Sequence, residues 1–331
     1  MPAALGFELA QSLSHRTASV DGMSESERGD GSPTGTDRTV GFVGLGIMGL
    51  PSAKNLMDAG YSLVVNDVVE ERVAEAVEYG ADSRETPAAV AEASDVLITF
   101  LPEGKHVREV ALGEDGVIEG AHDGLVLVDM STIGPDAIRE VAAELEAVGV
   151  PTIDAPVSGG EPGAVAGTMS IMVGGDAALV ETHRDLFDVM GGKVTRVGES
   201  GAGQVAKVCN NIIVASEAIA LSEAMVFAEQ AGVDRGSLVE AMRGGAAQTW
   251  ALEHRADDMV AGDLQPGFFG SYMYKDLRIA VNDAETYGAA LPSTAVAHEL
   301  YKALEQQGKG DLDFTGVITV LEGLSGMDPT A

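Results

Sequence analysis

Gly44, Gly46 and Gly49 stand at the spacing G-x-G-x-x-G within GFVGLGIMG, between a β-branched run and a helical pattern. In that setting each glycine has its own physical task. The first permits a tight turn, the second lets the backbone approach a pyrophosphate, and the third lets helix and strand pack closely. The unsatisfied N–H groups and positive dipole end of the helix then make an anion site without a lysine. The turn formed by Gly44, Leu45, Gly46, Ile47, Met48 and Gly49 is therefore a candidate dinucleotide-binding loop. Chance is the alternative in a chain with 42 glycines, and the strand–turn–helix context argues against it. About twenty residues on, the next β-branched run ends in Asn66-Asp67, where an acidic residue would hydrogen-bond the adenosine ribose hydroxyls. A 2′-phosphate would meet a carboxylate there, and Val68-Val69 bring no guanidinium. NAD is expected in preference to NADP, unless Asp67 is only a turn residue.

Further along, Leu101-Pro102 ends the run DVLITFL and Ser131-Thr132 follows LVLVDM, so both pairs should line the crevice near the nicotinamide. Ser158-Gly159-Gly160 follows IDAPV. A hydroxyl before two glycines can aim main-chain N–H groups at a carboxylate, and an ordinary loop is the alternative. Lys207 and Asn211 lie four apart on a long helical run and so share a face. Lysine is scarce in this chain, and an ammonium buried among Val205, Ala206, Val208 and Ile212 would lose its hydration. Lys207 either does chemistry or extends its stem to put the charge in water.

These residues need a scaffold, and the pattern predicts an α/β fold: an N-terminal Rossmann-type parallel sheet domain, then an all-helical C-terminal domain. From Thr39 the runs TVGFVG, YSLVVND, DVLITFL, LVLVDM and VPTIDAPV alternate with helical stretches, the signature of βαβ units, and TMSIMVGG and KVTRVG extend the same sheet. After Gly198 the strand signal stops. One long helix runs to Gly232, followed by helical patterns at 234–243, 248–261, 271–287 and 292–307. The expected divisions are a disordered extension at 1–38, the nucleotide domain at 39–199 and the helical domain at 200–331. Ser24 to Arg38 is poor in apolar groups, and Met23 is a candidate start of translation.

A net charge of −32, from 52 acidic against 20 basic residues, would repel nucleic acid and anionic membranes, and is read as a surface adapted to high salt. Cys209 is the single cysteine, which excludes an internal disulfide or a cysteine-built zinc site. No metal is expected, because acidic residues and histidines show no clustered ligand spacing. The chain also lacks a secretory signal and an uncharged apolar run of membrane length, so a cytoplasmic location is expected.

The segments GFVGLGIMGLPSAKNL, LVDMSTIGP, DAPVSGGEPGAVAGTMSIMVGG, GAGQVAKVCNN and YKDLRIA occur in the order found in the β-hydroxyacid dehydrogenases, and the sequence resembles that family from roughly Thr39 to Glu305. The group includes 3-hydroxyisobutyrate dehydrogenase, tartronate semialdehyde reductase and 6-phosphogluconate dehydrogenase. The resemblance implies a cleft between two domains, a homodimer or homotetramer, and a small hydroxy acid or semialdehyde as substrate. By the same resemblance Lys207 is the catalytic acid or base. Ser131 and the loop Ser158, Gly159 and Gly160 hold the substrate carboxylate, Asn211 positions the substrate, and Thr132 and Lys275 contact the cofactor. SGGEPGAVAGTMSIMVGGD, ALGEDGVIEGA and GYSLVV look most like tartronate semialdehyde reductases (2-hydroxy-3-oxopropionate reductases), which act on glycerate. CNN after Lys207 looks like 3-hydroxyisobutyrate dehydrogenases instead. The chain departs from the family in its N-terminal extension, its acidic surface and the absence of an arginine directly after Asp67. A dinucleotide-binding protein without catalysis is the competing class, and the retained Lys207, Asn211 and Ser-Gly-Gly loop argue against it.

Overall fold

The computed structural model describes residues 37–329. Its sheet has nine strands, β1 (Thr39–Val43), β2 (Ser62–Asn66), β3 (Asp82–Ser83), β4 (Val96–Thr99), β5 (Val126–Asp129), β6 (Thr152–Asp154), β7 (Val157–Ser158), β8 (Met169–Gly174) and β9 (Gly191–Gly198). They follow the order β3-β2-β1-β4-β5-β6-β8-β7, with β9 on β8. Strands β1 to β6 are parallel, and neighbouring residues along each face opposite layers. Val40, Phe42, Val96, Ile98, Val126 and Val128 pack on one side, and Val43, Leu97 and Leu127 on the other. Burial on both faces is why these strands read as continuous apolar runs. The covering helices are α1 (Gly49–Asp58), α2 (Glu70–Tyr79), α3 (Pro87–Glu92), α4 (Gly104–Leu112), α5 (Pro135–Glu146), α6 (Gly160–Ala166), α7 (Ala177–Thr182) and α8 (Arg184–Met190).

The helical domain holds α9 (Ala202–Gln230), α10 (Arg235–Met242), α11 (Trp250–His254), α12 (Ala256–Ala261), α13 (Gly270–Tyr287), α14 (Pro292–Gln306) and α15 (Val317–Leu324). Helix α9 is its axis. Ala215 and Ala218 pack into one cluster with Met273, Leu277, Tyr301 and Phe314, while Leu221 and Met225 join a second with Val239, Leu252 and Met259.

Several elements differ from the sequence reading. VPTIDAPV is two strands, β6 and β7, parted at Ala155-Pro156, because proline has no N–H for the ladder. Strand β8 runs antiparallel to β6 and β7, so the sheet is not wholly parallel. The seven-residue α6 between β7 and β8 is shorter than a parallel crossover requires. Segment 248–261 breaks at Arg255 into α11 and α12. The two-residue β3 and the β-branched α15 were not expected. The expected disorder of residues 1–38 lies outside the described residues except at Asp37 and Arg38. Arg38 belongs to the fold, being buried and ion-paired with Asp185.

Candidate active site

The glycine loop separates internal from external demands. Gly44 has φ 98°, and a Cβ there would stand 2.4 Å from the Phe100 carbonyl oxygen; a Cβ on Gly49 would stand 2.0 Å from that of Gly44. Both are glycine because the protein's own packing requires it. Gly46 is different, for the nearest atom to its Cβ position is Nη1 of Arg72 at 3.6 Å. Nothing inside the protein demands glycine there, so the open space is a cradle that a side chain would fill and that a ligand's phosphates can enter. No side chain caps α1, although the Leu50 and Ser52 N–H groups already donate to the Gly46 and Met48 carbonyls and Pro51 has none. The loop thus fits a dinucleotide.

Its neighbours shape it. Leu45 turns its side chain into the core and gives its N–H to Asp67 Oδ2 at 2.6 Å, while Ile47 is exposed. Asp67 Oδ1 accepts the Val69 N–H at 2.8 Å, so the carboxylate read as a ribose ligand already braces two turns of the main chain. Asn66 likewise holds the loop: its carbonyl accepts the Gly44 N–H at 3.0 Å and its amide donates to the Arg84 carbonyl at 2.9 Å.

At the ends of β4 and β5 lies a buried network that the sequence reading missed. Asp129 Oδ1 accepts from the Thr99 hydroxyl at 2.8 Å and the Ser131 hydroxyl at 2.6 Å, and the Ser131 oxygen in turn accepts the Leu101 N–H at 2.9 Å. The single hydroxyl proton of Ser131 is therefore committed inward. As it stands, Ser131 has no donor left for a substrate carboxylate, contrary to expectation, and instead fixes the Leu101 turn. Burial raises the Asp129 carboxyl to about 6, against the lowering effect of its hydroxyl donors.

The same network seats α9. Asp154, at the end of β6, accepts the Gly201 N–H at 2.7 Å and the Gln204 N–H at 2.9 Å, capping α9 from another element. Burial pushes its carboxyl upward, and these N–H groups oppose the shift. The Gln204 side chain donates to the Ser131 carbonyl at 2.8 Å and accepts the Ile133 and Gly134 N–H groups at 3.0 and 3.1 Å. Three residues beyond Gln204 comes Lys207.

Lys207 is 6% exposed, so its side chain is buried rather than extended into bulk solvent. Its Nζ lies 5.8 Å from the centre of the Phe268 ring. Among the described residues it has no hydrogen-bond or ion-pair partner. Burial lowers its pKa from 10.5 to about 8, with Asp276 opposing and Lys275 adding to the shift. Asp276 is buried beside it and accepts from the Asn211 amide, while Lys275 Nζ lies 3.0 Å from the Asp276 carboxylate. Lys275 also donates to the carbonyls of Thr132 at 2.8 Å and Pro102 at 3.0 Å, tying α13 to the loops after β4 and β5. In the remaining loop, Gly159 and Gly160 have φ 142° and 61°, and a Cβ on Gly160 would stand 2.9 Å from the Gly267 carbonyl, next to Phe268. Ser158 is half-buried at the end of β7. The loop thus meets the segment that covers Lys207.

Residues 39–198 match the model for the NAD binding domain of 6-phosphogluconate dehydrogenase, and residues 201–321 match that for the NAD-binding domain of NADP-dependent 3-hydroxyisobutyrate dehydrogenase. The chain is 41% identical over 283 residues to the 2-hydroxy-3-oxopropionate reductase of Escherichia coli, covering 86% of this chain and 97% of that one. It belongs to the β-hydroxyacid dehydrogenase family. The NAD-dependent L-serine dehydrogenase of Pseudomonas aeruginosa is 38% identical, with 85% and 96% covered. The solved 3-hydroxyisobutyrate dehydrogenase of Mycobacterium tuberculosis with L-serine superposes with a TM-score of 0.80 at 35% identity, covering 86% of this chain and 99% of that chain.

As a β-hydroxyacid dehydrogenase the chain is an NAD(P)-dependent oxidoreductase with a Rossmann-like domain and a helical domain. Asp129, Asp154, Gln204, Phe268 and Asp276 are the side chains at this site that sequence reasoning did not single out. The three aspartates and Gln204 sat in segments already picked for another residue, whereas Phe268 lies between the predicted helices 248–261 and 271–287. In so acidic a chain, a buried aspartate carries no signal that separates it from a solvated one.

Proposed function

We propose that this dehydrogenase interconverts glycerate and 2-hydroxy-3-oxopropionate, with Lys207 moving the proton on the substrate oxygen. The observation that carries the reading is the buried, unbonded Lys207 ammonium lowered to about 8, because an unpartnered charge in such a place costs stability unless it has a use. When bound, the nicotinamide supplies the hydride acceptor or donor for the substrate carbon. In oxidation neutral Lys207 takes the proton from the substrate hydroxyl, and in reduction its protonated form gives one to the carbonyl oxygen. Asn211, on the same face of α9 as Lys207, is held by Asp276 of α13 and positions the substrate. The main-chain N–H groups of Ser158, Gly159 and Gly160 receive the substrate carboxylate.

Glycerate, 3-hydroxyisobutyrate and L-serine all carry a hydroxyl on the carbon β to a carboxylate, so one lysine serves all three. The resemblance of SGGEPGAVAGTMSIMVGGD and the 41% identical relative favour the first. The Asn210-Asn211 pair after Cys209 favours 3-hydroxyisobutyrate as the second reading. Reduced-cofactor oxidation with tartronate semialdehyde, methylmalonate semialdehyde and succinic semialdehyde separates them. Tartronate semialdehyde should turn over fastest, and a faster rate with either of the others would overturn the substrate assignment.

Asp67 was the ground for expecting NAD. Since both its oxygens accept main-chain N–H groups, it offers the ribose less than a free carboxylate would, and the choice between NAD and NADP passes to the side chains around it. A cytoplasmic homodimer or homotetramer fits the apolar surface left by Ile213 and Phe227 on α9 and Leu324 on α15, at 58%, 76% and 74% exposure. Light scattering that returned the monomer mass would contradict that assembly.

A further inference from the structure

Phe268 belongs to the stretch from Asp263 to Phe268, which links α12 to α13 without regular structure, yet its ring must stay over Lys207. What fixes it is a carboxylate 45 residues further on. Asp313 is 2% exposed. Its Oδ2 accepts the N–H groups of Gly267 at 3.0 Å and Phe268 at 3.2 Å, while Oδ1 accepts the N–H and the hydroxyl of Thr315 at 3.1 and 2.7 Å. Only a carboxylate can accept on both sides in this way, because an amide nitrogen in place of either oxygen would set its own hydrogens against two donors. The main chain adds to the hold. The Asp313 N–H donates to the Leu264 carbonyl at 2.9 Å and the Phe314 N–H to the Phe268 carbonyl at 2.8 Å, and the Phe268 ring meets that of Phe314 edge-on at 6.4 Å.

An aromatic ring attracts an ammonium but accepts no ordinary hydrogen bond, so it can keep water from Lys207 and leave the proton free to move. The charged groups facing Lys207 are Asp276 and Lys275, both from α13. Asp313 faces Arg255 Nε at 4.0 Å and the buried phenol of Tyr301 on α14, whose ionisation burial and the Asp313 charge oppose. We propose that Asp313 is a positioning residue for the reaction: by holding the Gly267 and Phe268 N–H groups it keeps the Phe268 ring over Lys207 and water away from the ammonium. The proposal rests on the reading of Lys207 as the group that moves the proton.

The test follows Lys207 directly in the full chain, by the pH titration of its Cε resonance after isotopic labelling of lysine, assigned by its loss in Lys207→Met. The pH profile of kcat/KM for hydroxy-acid oxidation is measured beside it. The unaltered chain should show a midpoint of about 8. Asp313→Asn keeps the shape of the side chain but frees the cover, and the water admitted favours the charged form, so the midpoint should rise by about 1 or more, with the kinetic profile following. Loss of the Asp313 charge by itself works in the opposite direction, since removing an anion lowers a lysine pKa. Phe268→Leu should also raise the midpoint, and the double variant should go no higher than the larger single shift, because both act through one ring. Thr315→Val removes a hydroxyl from the same carboxylate without freeing the cover, and should leave the midpoint in place. A midpoint unmoved or lowered in Asp313→Asn, additive shifts in the double variant, or an equal shift in Thr315→Val would each overturn the proposal. Should Asp313→Asn not fold, Asp313→Glu, whose longer stem displaces both acceptors, carries the same predictions. If the kinetic profile of the unaltered chain does not track the resonance, the reading of Lys207 fails instead, and the resonance still decides whether Asp313 holds the cover.

Discussion

A lysine at the junction of sheet and helix sets the pH behaviour of this protein. With Lys207 titrating at about 8, its neutral form grows as pH rises through that value. Hydroxy-acid oxidation should therefore speed up between about pH 7 and 9, and semialdehyde reduction should slow over the same range. Profiles of kcat/KM in the two directions check this, and parallel profiles would contradict it. The same shift predicts a stability effect. Its folded pKa lies below 10.5, so the unfolded chain binds the extra proton between about 8 and 10.5, and Lys207 adds a rise in stability with pH there. Below about 8 the buried charge is a full cost, and Lys207→Met should melt higher than the unaltered chain at pH 7. A lower melting point would mean that the ammonium has a partner in solution. Asp67→Ala, finally, should weaken NADH and NADPH together, because it frees the N–H groups of Leu45 and Val69 and loosens the glycine loop.

Between elements, the critical joint is where α9 meets β5 and β6. Gln204 is fully buried and links the Ser131 carbonyl to the Ile133 and Gly134 N–H groups, so Gln204→Ala would strand three main-chain groups. A destabilisation of about 1–3 kcal/mol is expected in denaturant unfolding, with a fall in kcat because Lys207 lies one turn further along. An unchanged unfolding midpoint would show that water replaces the amide. This joint also marks what the sequence could and could not reveal. The glycine loop and the Lys207–Asn211 face were legible because their meaning lies within one turn of chain. The Gln204 bond to Ser131 spans 73 residues and the Asn211 bond to Asp276 spans 65, and nothing local announces either. Ser131 was placed correctly at a strand end, yet the direction of its hydroxyl depends on Asp129, whose burial the acidic composition concealed. The split of β6 from β7 was signalled by Pro156, whereas the helical state of the β-branched α15 follows from tertiary packing around Phe314 and Val317.

The whole molecule carries a net charge of −32, and 20 basic residues cannot pair with 52 acids. Screening over about 3 Å at molar salt, against about 10 Å at 0.1 M, would relieve that repulsion. The melting temperature should rise from 0.1 M to 2 M KCl, and a salt-independent value would sink the reading of a salt-adapted surface. Helix α9 is the one described helix long and apolar enough to cross a membrane. Its packing against α10, α11, α13, α14 and α15 gives it another role, as the core of the second domain and the arm that carries Lys207 to the sheet. Fold and chemistry thus depend on the same helix.

Turnover of Lys207→Ala, measured on a sample whose NADH and NADPH affinities match those of the unaltered chain, tests the account most directly. A fall of about 10²- to 10⁴-fold with partial recovery on adding a small primary amine is predicted. Turnover within a few-fold of the unaltered enzyme would show that the proton on the substrate oxygen is handled elsewhere.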